Sequence, residues 1–226
     1  MRDNTHPSGH GTLCVRFFYA NNRKEPYEHT NMKIRKSRST AETVDCKYCT
    51  EYVPHIGCTA INCIILPERI EAGMVGYAEI IKDTFGHDRI LMKRLKELVT
   101  AFPGTMWADE THRQRFLYAT SQCEEALVSH AYFASVYLIT SNEDIYERAF
   151  RCFLKSGLYL KNFRIRGISP HNYTLFSYTK RLYSGQPDLP ADELTNRDIV
   201  PEETFRFAVN AVVIARHGAE VLKITT

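Results

Sequence analysis

Apolar positions recur at helical spacing along most of this chain. Ile70, Met74, Tyr77, Ile81 and Phe85 are separated by four, three, four and four residues. That predicts one stripe on a helix opening near Pro67 and ending at Gly86, with Gly73 and Gly76 weakening its first half. Leu91, Leu95, Leu98 and Phe102 make a second stripe, which Asp88 can cap and Pro103-Gly104 stops. Asp109 is placed to cap a short helix bearing Phe116 and Leu117. Leu127, His130 or Ala131, Ala134 and Leu138 line a longer, mostly buried helix. Ser141-Asn-Glu-Asp144 resembles a capping arrangement for a helix with Ile145, Ala149 and Phe153 inward, ending at Ser156-Gly157. Residues 158–166 are ambiguous between strand and extended loop. Ser169-Pro170 and Ser184-Gly185 bracket another helix, 187–198 reads as a loop, and Pro201 opens a last helix with Phe205, Ala208, Val212 and Ala215 inward.

The first third follows a different pattern. Residues 1–10 have the composition of a frayed terminus. In Thr12–Tyr19, Leu13, Val15, Phe17 and Tyr19 alternate at period two, as in a strand, and Asn62–Leu66 is short and apolar enough for another. Between Tyr19 and Ile64 lie four cysteines: Cys46 and Cys49 as a Cys-x-x-Cys pair, then Cys58, then Cys63. A close pair of this kind lets two thiolates grip one ion from a single turn, and a second pair a loop away completes a tetrahedron. The expected group is therefore zinc, closed by Cys46, Cys49, Cys58 and Cys63. Four thiolates leave no position for water or substrate, so its role is structural.

Other readings of the cysteines meet physical objections. Seven cysteines is an odd number for a disulfide framework, and no apolar signal segment follows Met1. No βαβ pattern surrounds Cys46, as a thioredoxin-like motif requires. His55 lies within the loop and is an alternative ligand to one cysteine; iron is an alternative to zinc.

The predicted architecture is mainly α (α+β). A flexible N-terminus (1–10) precedes a module of strand and four-cysteine zinc site (11–66), which packs without a Gly/Ser linker on a domain of six or seven helices (67–226). Across 226 residues, 44% hydrophobic and 24% charged content suits a globular protein rather than a disordered one. Apolar runs such as Ala211–Ala215 are too short to span a membrane, so a cytoplasmic location is expected.

Net charge is only +3, but it is unevenly spread. Lys33, Arg35, Lys36 and Arg38 form a basic run before the cysteines. From Arg148 to Pro187 there is no acid, while Arg148, Arg151, Lys155, Lys161, Arg164, Arg166, Lys180 and Arg181 are interleaved with eight Phe and Tyr. Cations that neutralise phosphates beside rings that accept unstacked bases characterise single-strand nucleic-acid surfaces. Lys33, Arg35, Lys36, Arg38, Lys161, Arg164, Arg166, Lys180 and Arg181 are the candidate contacts with nucleic acid or another polyanion. Two plainer readings compete: the aromatics are core, and the following acidic stretch from Asp188 to Glu203 folds back to neutralise the cations. For chemistry, Asp109, Glu110 and His112 cluster beside Trp107, but Asp109 as a cap and His112 as an exposed side chain is the simpler account, and His130 reads as a core histidine. No phosphate-binding glycine loop, nucleophile elbow or His-Glu-x-x-His motif is present.

Cys46-Lys-Tyr-Cys49-Thr-Glu-Tyr with Gly57-Cys58 and Cys63, Met106-Trp-Ala-Asp-Glu-Thr-His112 and Tyr137-Leu-Ile-Thr-Ser-Asn-Glu-Asp144 resemble proteins without assigned function that are carried on conjugative mobile elements of anaerobic gut bacteria. The resemblance covers residues 45–218. It carries over no catalytic residues. It implies an intracellular accessory protein of a mobile element, acting in DNA transactions or against host defence. Three readings follow: a non-catalytic nucleic-acid-associated protein, a protein-interaction module that inhibits a host defence complex, and a metal-dependent hydrolase centred on Asp109 and His112.

Overall fold

The computed structural model describes residues 39–58, 63–124, 128–186 and 188–225. The predicted strand at 12–19, the basic run from Lys33 to Arg38 and Leu127 lie outside the described residues. Residues 38–226 form one compact unit. It is mainly α: nine α-helices stand among the described residues with two two-stranded hairpins. The helices are α1 (Leu66–Glu71), α2 (Tyr77–Phe85), α3 (Met92–Thr100), α4 (Glu110–Ser121), α5 (His130–Thr140), α6 (Glu143–Ala149), α7 (Pro170–Tyr183), α8 (Ala191–Thr195) and α9 (Glu202–His217). Among the described residues, none of them is long and apolar enough to cross a membrane. The hairpins pair β1 (Tyr52–Val53) with β2 (Gly57–Cys58) and β3 (Phe153–Leu154) with β4 (Gly157–Leu158), each antiparallel.

The single helix predicted over 67–86 is two. Gly73 adopts φ +71°, and its N–H bonds Ile70 O while Met74 N–H reaches back to Arg69 O. These paired bonds close α1 in a left-handed turn that glycine enters without steric cost. Met74 is consequently exposed, whereas Ile70, Tyr77 and Ile81 stay buried. Over 63–66, the described part of the expected strand at 62–66, no strand forms: the chain turns at Ile64-Ile65 and Leu66 opens α1. Asp88 accepts from Ile90 and Leu91 N–H one turn before α3, so it organises the entry rather than occupying the cap itself. Asp109, Asn142 and Ser169 cap α4, α6 and α7 through their side-chain oxygens.

α5 is the axis of the bundle. It packs most extensively on α7 and α9, with α4 and α6 against its other sides, and α9 in turn carries α2. Every residue from Ala134 to Thr140 is buried, as an all-round apolar helix requires. Ser135 and Thr140 bond back to carbonyls one turn earlier, so neither hydroxyl is left unmet in the core.

At the centre of α9 sits the fully buried Asn210. Its Oδ1 accepts from the Tyr77 hydroxyl at 2.7 Å, and its Nδ2 donates to the Tyr137 hydroxyl at 3.0 Å and to Met106 O at 3.3 Å. Tyr137 donates to the same carbonyl. One amide thus ties α2, α5, α9 and the loop before α4 together. Asn210→Ala should cost about 2–4 kcal/mol, because it opens a cavity and strands the Tyr77 hydroxyl. Urea denaturation checks this as a lowered midpoint at unchanged slope.

Candidate metal centre and nucleic-acid interface

Asp45 opens the cysteine segment by accepting Lys47 N–H at 2.9 Å, which caps a 3-10 turn over Cys46–Tyr48. Cys49 N–H then bonds Cys46 O and Tyr52 N–H bonds Cys49 O, so the chain winds twice about the first cysteine pair. The β1–β2 hairpin returns Cys58 opposite Tyr52. Cys63 precedes α1, its carbonyl accepting from Leu66 N–H. All four thiols are free and line one cleft of about 340 Å³ with Tyr52, Arg69, Glu79, Lys82, Asp83 and His87. As the side chains stand, no group of three or more His, Cys, Asp or Glu among the described residues is disposed to hold a metal ion.

The cleft is partly cationic. Arg69 of α1 lies against Cys63 and near Cys46, and Glu79 of α2 grips its guanidinium at 2.5 and 3.2 Å. That carboxylate raises the Arg69 pKa above the ordinary arginine range, so its charge is permanent. His55 stands exposed at the tip of the β1–β2 hairpin, at φ +69°, and does not line the cleft. The histidine that does is His87. Glu79, Asp83 and His87 recur at four-residue intervals along α2 and just past its end, a spacing by which the sequence alone could have placed them together.

Arg148 at the end of α6 donates to the carbonyls of Arg164, Arg166 and Gly167 while its Nε meets Asp144 at 2.7 Å. It therefore acts as a strap holding the 160–167 loop. Asn162 donates to Arg151 O, Tyr159 N–H bonds Cys152 O, and Leu158 N–H bonds the Tyr183 hydroxyl, which fixes the β3–β4 hairpin beside α7. Phe163 stacks on Phe176 at 3.8 Å, and the Lys180 ammonium lies 5.9 Å from that ring. Lys161, Arg164, Arg166 and Lys180 are exposed, as are Arg151 and Lys155, and none has an ion-pair partner among the described residues.

Arg181 differs, being half-buried with its guanidinium donating to Asp188 O. The aromatics divide: Phe163, Phe176 and Tyr178 are core, whereas Phe150, Tyr159 and Tyr173 are exposed. The acidic stretch returns only in part: Asp188 O accepts from Arg181 and Glu193 accepts from the Tyr178 hydroxyl, while buried Arg94 donates to Leu194 O, Val200 O and Glu202, and Arg197 bridges Glu97 and Glu202.

The histidines correct two expectations. His112 is buried, not exposed: Nε2 donates to Tyr137 O at 3.1 Å and Nδ1 accepts Ala108 N–H at 3.1 Å, with Trp107 packed edge-on against the ring. Asp109 commits an oxygen to His112 N–H at 2.7 Å. Both His112 ring nitrogens are engaged by backbone. His130 is exposed rather than core, and its ring lies where a side chain on Gly218 would stand. Signals for these placements are weak in the sequence, because they depend on how α5 and α9 close over α4.

Burial pushes the His112 pKa down to about 4, and does the same to His217 despite Asp83 at 3.5 Å. A histidine held neutral in the folded state stabilises it fully above the unfolded value near 6.5 and loses that contribution as pH falls toward 4. Each should remove on the order of 3 kcal/mol across that window. Trp107 is the chain's one tryptophan and touches His112. Its fluorescence, followed with circular dichroism in an acid titration, should report loss of packing between pH 6.5 and 4.

No protein-family model, curated protein or solved structure matches this chain.

Proposed function

We propose that this protein is a zinc-stabilised, non-catalytic nucleic-acid-associated protein, acting as an accessory of a mobile genetic element. Six exposed cations without ion partners among the described residues, all from one acid-free stretch of the chain, carry that reading. Lys161, Arg164 and Arg166 are its centre, Lys180 extends it, and Arg181 mainly holds the Asp188 turn in place. Lys33, Arg35, Lys36 and Arg38 are the further contacts proposed from the sequence. The mobile-element setting rests on the sequence resemblance.

Zinc would be held by Cys46, Cys49, Cys58 and Cys63. The donor chemistry supports this reading: four free thiols line one cleft, two of them beside a permanently charged arginine. A tetrathiolate zinc centre would carry a net charge of about −2; Arg69 and Lys82 line the cleft, with Glu79 and Asp83 beside them. Bound there, the metal supplies folding energy to a segment with almost no apolar core; of residues 39–58 only Val44 is buried among those whose side chains are described. Arg69 would hold the cysteine segment against α1 through Cys63 and Cys46.

Fluorescence anisotropy of the full chain with labelled oligonucleotides, titrated with salt, tests the reading. Binding that weakens steeply with salt supports it. No binding at low salt, with a protein partner that stays bound through nuclease treatment, would replace it with the protein-interaction reading.

A further inference from the structure

Two of the rings left in water, Phe150 and Tyr118, stand close to Tyr146. Phe150 is 59% exposed and stands one helical turn after Tyr146 of α6. Tyr146 meets Phe153 at 6.0 Å, and the Arg115 guanidinium lies 5.6 Å over its ring, held in place by Glu143 at 3.3 Å. Tyr118 of α4, 53% exposed, stands one helical turn beyond Arg115 on the same side of the helix. Glu124 N–H bonds Lys155 O at 3.0 Å and ties the end of α4 to the β3–β4 hairpin, so the row is built on fixed elements.

Exposed apolar area of this kind marks an interaction surface, and its chemistry selects the partner. Arg151 adjoins Phe150 in sequence, and the 160–167 loop that carries Lys161, Arg164 and Arg166 is strapped to the same turn. Of the acids on α6, Glu143 holds Arg115 and Asp144 is engaged by Arg148 and Asn172, which leaves Glu147. A run of rings flanked by surplus positive charge suits a polyanion that also offers flat apolar faces. Bases in a duplex already stack on each other; only unpaired ones can lie on protein rings.

We infer that Tyr118 and Phe150, on either side of the Arg115-covered Tyr146, form a stacking platform for unpaired bases, which makes the ligand of the basic face single-stranded nucleic acid. This rests on the reading that the basic face binds nucleic acid, and the test separates the two. Anisotropy would be measured with a pyrimidine strand of about 16 nucleotides and with the corresponding duplex, on full-length wild type, the double variant Tyr118→Ala/Phe150→Ala, and Tyr118→Phe. Both positions are exposed, so thermal midpoints should not move.

The double variant should bind the single strand about tenfold or more weakly, with its salt slope and its duplex binding unchanged. Tyr118→Phe keeps a ring and should bind as wild type. Equal losses for strand and duplex, or no loss for the strand, would overturn the platform while leaving the basic-face reading intact. Wild type that binds neither probe would overturn both.

Discussion

Purified protein should contain about one zinc per chain, and Cys46→Ser/Cys63→Ser should contain almost none. Metal analysis by mass spectrometry measures this directly. The double variant removes one ligand from each end of the cysteine segment, so Cys49 and Cys58 are left and cannot close a tetrahedron. Structural zinc contributes on the order of 10 kcal/mol or more to small modules of this type, far more than the β1–β2 hairpin supplies with two residue pairs. Circular dichroism should nevertheless retain most of its helical signal, because the core around α5 and α9 does not depend on the cysteines. The loss should appear as proteolysis between residues 39 and 63 and as reduced solubility. His55→Ala should keep its metal, since His55 stands at the hairpin tip and away from the cleft.

Lys161→Ala/Arg164→Ala/Arg166→Ala should reduce the log–log salt slope of single-strand binding by about 2, at roughly 0.7 per lost phosphate contact. Affinity at low salt should fall by an order of magnitude or more. Arg164 and Arg166 hold the loop through their carbonyls and not their side chains, so truncating them leaves the Arg148 strap in place. Arg148→Ala should also weaken binding, but by loosening the loop, and therefore with a lowered thermal midpoint that the triple variant does not show. That contrast separates a charge that contacts ligand from one that positions the contact.

Helical periodicity locates most of the fold because it reflects burial on one side of each helix. The stripes at Leu91, Leu95 and Leu98 and at Phe205, Ala208 and Val212 are buried where the spacing places them. Caps at Asp109, Asn142 and Ser169 are legible because they satisfy neighbouring N–H groups within a few residues. Gly73 looks like a weak point in one helix and is a boundary between two, since a left-handed turn takes only one residue. Tertiary partners are the illegible part. His112 and His130 exchange their expected environments because helix packing, not local pattern, decides which one the core encloses.

The candidate sites divide the same way. Cysteine spacing places Cys46, Cys49, Cys58 and Cys63 on one cleft, which the hairpin register and the start of α1 then produce. The wall opposite, with Asp83 and His87, comes from a helix about twenty residues further on, and only its four-residue spacing marks it. Counting acids identifies the basic face but cannot distinguish Lys161, facing solvent, from Arg148 and Arg181, whose guanidinium groups are taken up by backbone carbonyls. Asn210, interrupting an apolar run in α9, shows the same limit: polarity in the middle of a buried stripe announces a network without naming its members.

The most direct test of the central claim is a salt titration of the wild-type full chain on a labelled single strand. Binding should be measurable at about 50 mM salt and should weaken on a log–log slope of about −3 to −4, as roughly five phosphate contacts require. A flat salt response, or no binding at any salt concentration, would contradict the account.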